Sequence, residues 1–452
     1  MARRGLTVNS SGQLIRDGVR FRNVGLNYPG AINRIYSQPS ATACAYTPSA
    51  EQDAILDLCV QMKVKVLRVK ATPYWPAQWR YGVNGGVAGV AAVAADREAH
   101  YAKIDAFLAK CRSRDIGVIL TLFFRHASPA DLAGQTLRAG WLNAGATRTY
   151  VTAVTQEIVT RYLTDDAVLG YEWSNEVNHY NDASDATRGT FPAVNSTYGS
   201  AASYSAANDI FVGTDLQSVL SWWYGVVTAI DANRIVLSGN GPNSYSQTGG
   251  TAGISTPMIN WHREQVRDNP TNCGTIHYYG NIGYGSNNFR GLNAVLTGAR
   301  HWQRANSRGF VLGEFGNQPW AISAISVTGG VATMTVSASC PVEVGDAVGI
   351  DGTGTALDGQ WLTLSSVNAG RDTLTAPCSV SATYSGSAGR LQTISPDRLC
   401  RMCSDIIYSD TDIGLFWMID GDSGAPLWES LSADRNSALR TEITAANSAL
   451  GW

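Results

Sequence analysis

Apolar residues along this chain fall into two alternating rhythms. Short β-branched runs of four to eight residues recur, bounded by turn residues, and between them lie longer stretches in which apolar positions repeat at i, i+3, i+4 and i+7. The short runs predict strands at 21–27 (FRNVGLN), 64–71 (VKVLRVKA), 116–124 (IGVILTLFF), 167–174 (AVLGYEWS), 234–238 (RIVLS), 274–279 (GTIHYY), 309–315 (GFVLGEF) and 412–419 (DIGLFWMI). Helical periods are clearest in EQDAILDLCVQMK at 51–63 and REAHYAKIDAFLAKCRS at 97–113. Further helices are expected near 148–163, 215–230, 291–307, 396–408 and 433–448. The strands are almost continuously apolar, as in a parallel sheet covered by helices. Eight such units close a (β/α)8 TIM barrel, an α/β fold; a doubly wound sheet rarely reaches that number.

One stretch breaks the alternation. From Ala321 to Leu391 helical period is absent, and short alternating runs (AISVTGG, VATMTVSA, DAVGID, QWLTLSSV, DTLTAP) are punctuated by Gly, Ser and Thr turns. A small antiparallel β-domain at 321–391, inserted after strand seven, is therefore expected, leaving 1–320 and 392–452 for the barrel. The remaining long loops, at 28–50, 72–96, 125–147, 177–214 and 239–257, follow barrel strands and would build the face where such a fold does chemistry.

Composition narrows the partners. The 452 residues are 44% hydrophobic and 15% charged, with 34 Lys and Arg against 36 Asp and Glu, so there is no basic excess for nucleic acid. No apolar run is long enough to span a membrane. MARRGLTVNSSGQLIRDG has no apolar h-region, so no signal peptide is visible. Thirteen Trp and 19 Tyr suit a neutral ligand with flat faces, such as a sugar. Eight scattered cysteines are not a disulfide scaffold. Cys340 and Cys378 lie in one β-rich stretch where a bridge is open, and Cys400 and Cys403 fall on one helical face rather than in a metal or redox motif.

The chemistry collects at strand ends. Strand four runs into Asn175 and Glu176, and strand seven into Glu314. Strand two holds Arg68, strand three ends at Arg125 and His126, strand six holds His277, Tyr278 and Tyr279, and strand eight holds Trp417. Carboxyl groups at half-buried strand ends need partners or a proton. Two of them astride one glycosidic bond, tuned apart by their surroundings, are what glycoside hydrolysis needs. Arg68 and Tyr279 are expected to bond Glu314 and keep it ionised, while Glu176, near His277 and the apolar Trp173, holds its proton. A Schiff-base role for Lys70 would leave both Glu unexplained. A metal hydrolase is disfavoured by six scattered His.

This constellation resembles the cellulase-like retaining hydrolases of glycoside hydrolase family 5 and its clan, over most of the chain outside the insert. The resemblance implies a (β/α)8 barrel, with Glu176 as acid/base and Asn175 on the sugar 2-hydroxyl. It implies Glu314, in Gly313-Glu314-Phe315-Gly316, as nucleophile. Arg68, His277 and Tyr279 would support the pair, and Trp417 would floor the sugar. His126 matches at strand three, where FFRHAS lacks the Asp that often accompanies it. LTVNSSGQLIRDGVRFRNVGLNY looks like the opening hairpin and first strand. The insert's VEVGDAVGIDGTG…LDGQWLTLSSV resembles small β-modules of bacteriophage tail proteins.

The expected function is endo-acting, retaining hydrolysis of a β-linked polysaccharide without metal or cofactor. The expected setting is extracellular or the virion surface, with polysaccharide as partner and virion or protein docking through the insert. The alternative is a polysaccharide-binding or structural tail protein without activity. Trp75, Trp79, Trp141, Trp222, Trp261 and Trp320 are candidate stacking platforms, with Trp75, Trp79 and Trp320 best placed.

Overall fold

The computed structural model describes residues 5–34, 46–74, 94–133, 135, 137–177, 213–241, 269–278, 292–316, 320–337, 340, 342–392, 396–417 and 437–452. A three-stranded antiparallel sheet opens the chain: β1 (Thr7–Val8), β2 (Leu14–Arg16) and β3 (Val19–Arg20). Then come the parallel strands β4 (Asn23–Asn27), β5 (Val66–Lys70), β6 (Gly117–Phe123), β7 (Val168–Ser174), β8 (Ile235–Leu237), β9 (Cys273–Tyr278) and β10 (Gly309–Gly316). Eight antiparallel strands follow, from β11 (Trp320–Thr328) and β12 (Val331–Val336) through β13 (Ala347–Asp351), β14 (Trp361–Thr363), β15 (Ser366–Val367), β16 (Thr373–Pro377) and β17 (Thr383–Ser385) to β18 (Arg390–Gln392). Last is β19 (Ile413–Trp417), which pairs with both β10 and β4 and closes the barrel in the order β10-β19-β4-β5-β6-β7-β8-β9. All eight expected barrel strands form.

Burial explains the apolar strands. Every residue of β4, β5, β6, β7, β9, β10 and β19 is buried, because one face packs in the barrel and the other under helices. Leu6 plugs the lower end: its N–H donates to Leu169 O at 2.8 Å and its carbonyl accepts from Ile235 N–H at 2.9 Å. Leu14, Phe21, Val66, Ile119, Leu169, Ile235, Val311 and Leu415 pack around it. The opening hairpin is thus a floor at the N-terminal strand ends, and the candidate residues stand at the opposite, C-terminal ends.

Helices at Ser49–Gln61, Ala94–Ser113, Ala146–Tyr162, Gly213–Thr228, Leu292–Ala305, Pro396–Tyr408 and Ser437–Ala449 lie close to their expected positions. Two more, Ala127–Leu132 and Leu137–Leu142, occupy the stretch expected as a loop after strand three. Six residues are too short to display a helical period, so the pattern gave no sign of them. No helix among the described residues is long and apolar enough to cross a membrane.

The inserted sheet has its own core. Ile322, Ile325, Met334, Val348, Ile350, Leu374 and Leu391 are among its buried members, and none of that cluster lies outside 322–391. The chain enters and leaves side by side, since Trp320 of β11 pairs with Leu391 of β18. Cys340 and Cys378 are both buried and unbridged. Cys403 is buried and Cys400 exposed on their common helix.

Candidate active site

Arg68 organises the C-terminal end of the barrel. It sits on β5 with its guanidinium buried, and each nitrogen finds an oxygen on a different strand or strand end. Nε donates to Glu172 Oε2 at 2.5 Å, and Nη2 donates to Asn175 Oδ1 at 2.8 Å. Nη1 donates to Asn27 Oδ1 at 3.0 Å and to Glu314 Oε1 at 2.6 Å. Its planar fork suits such divergent acceptors where a Lys ammonium would not. Burial works against the charge, but Glu172 and Glu314 outweigh it and raise the Arg68 pKa above its ordinary value. The guanidinium also lies 5.4 Å from the Phe124 ring centroid.

Strand seven is bent to present Glu314. The register of β10 shifts between Leu312 and Glu314 against β9, and between Leu312 and Phe315 against β19. Such a bulge re-aims a side chain. Beyond it Glu314 stands opposite His277 of β9. The Asn27 amide donates to the Gly313 carbonyl at 3.1 Å, so one side chain supports both the bulge and Arg68. A Cβ at Gly313 would lie 2.9 Å from His277 Nε2, which is why the residue before Glu314 has no side chain.

Strand four ends in a strained turn. Glu176 has φ 53°, in the left-handed region that non-glycine residues avoid. Its N–H donates to the Gly239 carbonyl at 2.7 Å, tying the end of strand four to that of strand five. The turn carries the Glu176 carboxyl to His277, whose Nδ1 lies 2.9 Å from Glu176 Oε1 and 3.3 Å from Glu314 Oε2. With carboxyl oxygens on both sides, we assign the proton to Nδ1. A carboxylate oxygen from each Glu and a His277 nitrogen all lie within 4.8 Å of one another. Glu314 is nearly sealed from solvent at 3% side-chain exposure, whereas Glu176 is 24% exposed. Three donor atoms at this spacing also suit a divalent cation, although no fourth His, Cys, Asp or Glu joins them among the described residues.

Most of the residues expected at the site are therefore gathered there. Glu314, Glu176, Asn175, Arg68 and His277 form one hydrogen-bonded cluster. Trp417, on β19, is nearly buried, and its ring stacks with that of Phe124 at 6.5 Å and 25°. His126 is buried and its carbonyl accepts from Trp141 Nε1 at 2.8 Å. Tyr279 lies outside the described residues, as do Trp75, Trp79 and Trp261.

Several expectations need correction. Trp173 packs edge to face on Trp141 at 5.1 Å, in the layer beneath the helices. Trp320 opens the inserted sheet and packs against that sheet's core rather than standing as a platform at the barrel mouth. Trp141 is fully buried, and Trp222 carries the Arg148 guanidinium 4.3 Å from its ring centroid. Lys70, argued above not to be a Schiff-base residue, is buried, and its Nζ donates to Asn33 Oδ1 at 2.6 Å. Two residues of the cluster escaped the sequence reading, Asn27 and Glu172. Each sits at an inward position of an apolar strand, and a polar side chain in such a run was the available signal.

The fold has known counterparts. An endo-1,4-β-mannanase from Rhizomucor miehei superposes with a TM-score of 0.53 at 13% identity, over 99% of each chain. An endo-β-1,4-mannanase from Thermotoga petrophila gives 0.52 at 12% identity, over 95% of this chain and 77% of that one. A glycoside hydrolase family 5 mannosidase from Rhizomucor miehei gives 0.51 at 10% identity, over 99% and 97%. At these identities the likeness is one of fold, a (β/α)8 barrel shared with glycoside hydrolases. No family model and no curated protein matches the sequence.

Proposed function

We propose that the chain is a retaining glycoside hydrolase that cleaves β-linked polysaccharide internally. The observation that carries this reading is the pair Glu176 and Glu314, held on facing strand ends with His277 between them and Arg68 bonded to only one. Arg68 stabilises the anion at Glu314, which suits a nucleophile. Glu176 is farther from that cation and more open to solvent, which suits a proton donor. One carboxyl oxygen of each Glu lies within 4.8 Å of the other, a closeness that favours the spacing of about 5–5.5 Å between carboxyl groups at a retaining site over the about 6.5–9.5 Å of an inverting one.

In the first step a Glu314 oxygen bonds the anomeric carbon. The glycosidic C–O bond breaks, and the leaving oxygen takes the Glu176 proton. In the second, Glu176 takes a proton from water, the water oxygen bonds the anomeric carbon, and the bond to Glu314 breaks. His277, bridging both carboxyls, fixes their spacing throughout. Asn175, steadied by Arg68, faces the sugar 2-hydroxyl, and Trp417 with Phe124 supplies an apolar floor. Neither step requires a metal or cofactor.

The setting we propose is extracellular or virion-borne, acting on bacterial surface polysaccharide, with the insert as docking module. Its support is the insert's likeness to phage-tail β-modules. The test is reducing-sugar release from mannans, β-glucans, xylan and bacterial capsular polymers. Glu314→Gln should lower turnover by on the order of 10⁴-fold. Glu176→Gln should lower it by about 10²–10⁴-fold. Near-wild-type turnover by Glu314→Gln removes the nucleophile assignment. Tight polymer retention without product would favour an inactive binding protein instead.

A further inference from the structure

Glu172 is a third carboxylate in the site, and the two-carboxylate chemistry leaves it unused. It lies on β7, one strand pleat below the Asn175–Glu176 turn, and is fully buried. Oε2 accepts from Arg68 Nε at 2.5 Å and from Thr121 Oγ1 at 2.5 Å. Oε1 is buried and has no hydrogen-bond partner among the described residues. A carboxylate with one oxygen buried and unpaired by protein groups is costly, and an apolar residue would fill the space more cheaply. A Cβ on Gly239 would stand 3.2 Å from the Glu172 carboxyl carbon, so the neighbouring turn also leaves room for it.

The charges say what it is for. Arg68 bonds two carboxylates at once, Glu172 through Nε and Glu314 through Nη1. On the mechanism proposed above, Glu314 becomes a neutral ester midway through each turnover. Without Glu172, Arg68 would then be a buried cation facing only the side-chain oxygens of Asn27 and Asn175. It could swing toward the newly ionised Glu176 and take Asn175 with it. We propose that Glu172 is a positioning residue: a permanent counter-ion that anchors Arg68 while Glu314 alternates between anion and ester, and that shares Arg68's charge so Glu314 is not over-stabilised as an anion. This inference rests on the hydrolase reading for its timing, but not for the anchoring itself.

Two measurements test it. In the first, crystal structures of Glu314→Gln and of Glu314→Gln with Glu172→Gln are compared; glutamine at 314 stands in for the neutral ester. Arg68 should keep its contacts to residue 172, Asn27 and Asn175 in the single variant and leave them in the double variant. An Arg68 that moves in the single variant, or stays in the double one, overturns the anchoring. This measurement needs no substrate.

The second is the pH profile of kcat for Glu172→Gln. Removing a fixed negative charge lowers the proton affinity of both Glu314 and Glu176, so both limbs should shift to lower pH by roughly one unit. A residue that served only packing would lower kcat and leave the limbs in place, and that result overturns the shared-charge role. If the wild-type enzyme releases no product from any polymer, the hydrolase reading falls, while the paired structures still decide whether Glu172 anchors Arg68.

Discussion

Glu176 shows how much of this site depends on backbone that the sequence pattern does not display. Its left-handed conformation is held by the hydrogen bond to Gly239, which is itself at φ 74°. A Cβ at Gly239 would fall 1.8 Å from the Ser174 carbonyl, a backbone atom that cannot step aside. Gly239→Ala should therefore displace the turn, lowering stability by about 2–3 kcal/mol and turnover by at least tenfold. Urea melts and initial rates check both; a variant of wild-type stability would mean the turn is not under this constraint. At this scale the sequence was legible where chemistry sits on strand ends. Glu176, Glu314, Asn175 and His277 could be read off because each follows an apolar run or lies near its end, and Arg68, inside its run, through the resemblance stated above. Glu172 was missed: a charged side chain inside an apolar run marks it, but its role depends on its inward direction, and direction requires the register of neighbouring strands.

Between elements, the helix Ala94–Ser113 reports on the same end of the barrel through His100. Its Nε2 lies 2.8 Å from the Ala71 carbonyl, just past β5, and the Tyr46 hydroxyl stands 3.2 Å from Nδ1. The acceptor at Ala71 requires Nε2–H, and in the neutral ring that burial favours Nδ1 accepts from the Tyr46 hydroxyl. Burial, with the nearby Lys70 charge adding to it against the Ala71 bond, lowers the His100 pKa from 6.5 to about 4. Between those values the unfolded chain binds a proton that the folded one does not, so stability falls as pH drops from 6.5 toward 4. From pH 7 to 4.5 this one group should remove about 2 kcal/mol. His100→Gln should show that much less loss than wild type in urea melts at the two pH values, and equal losses would contradict a neutral buried ring. Strands and long helices were legible because their periods are long enough to count. The helices Ala127–Leu132 and Leu137–Leu142 were not, since a turn and a half of helix has no period.

For the whole molecule, the inserted sheet is a detour whose two ends meet. Trp320 and Leu391 are antiparallel partners, so the chain leaves the barrel and returns within the width of one strand pair. The insert's buried cluster is drawn wholly from its own residues, and the barrel's clusters contain none of them. The ion pair between Asp346 and Arg398 of the following helix joins the two at 3.3 Å, and a partly exposed pair of this kind contributes about 0–1 kcal/mol. Replacing 320–392 with a short Gly-Ser linker should therefore leave a folded barrel. Because Glu176, Glu314, Arg68 and His277 all belong to the barrel, kcat/KM on a short soluble glycoside should, on the proposed function, stay within about twofold of the full chain, since the insert supplies none of these side chains. Polymer hydrolysis divides the roles proposed for the insert. A rise in KM on polymer alone would mean that the sheet binds polysaccharide. Unchanged constants on both substrates would leave docking to another protein, or service as a spacer, as its role. Loss of the short-substrate activity together with the fold would mean that the two cores are not independent after all.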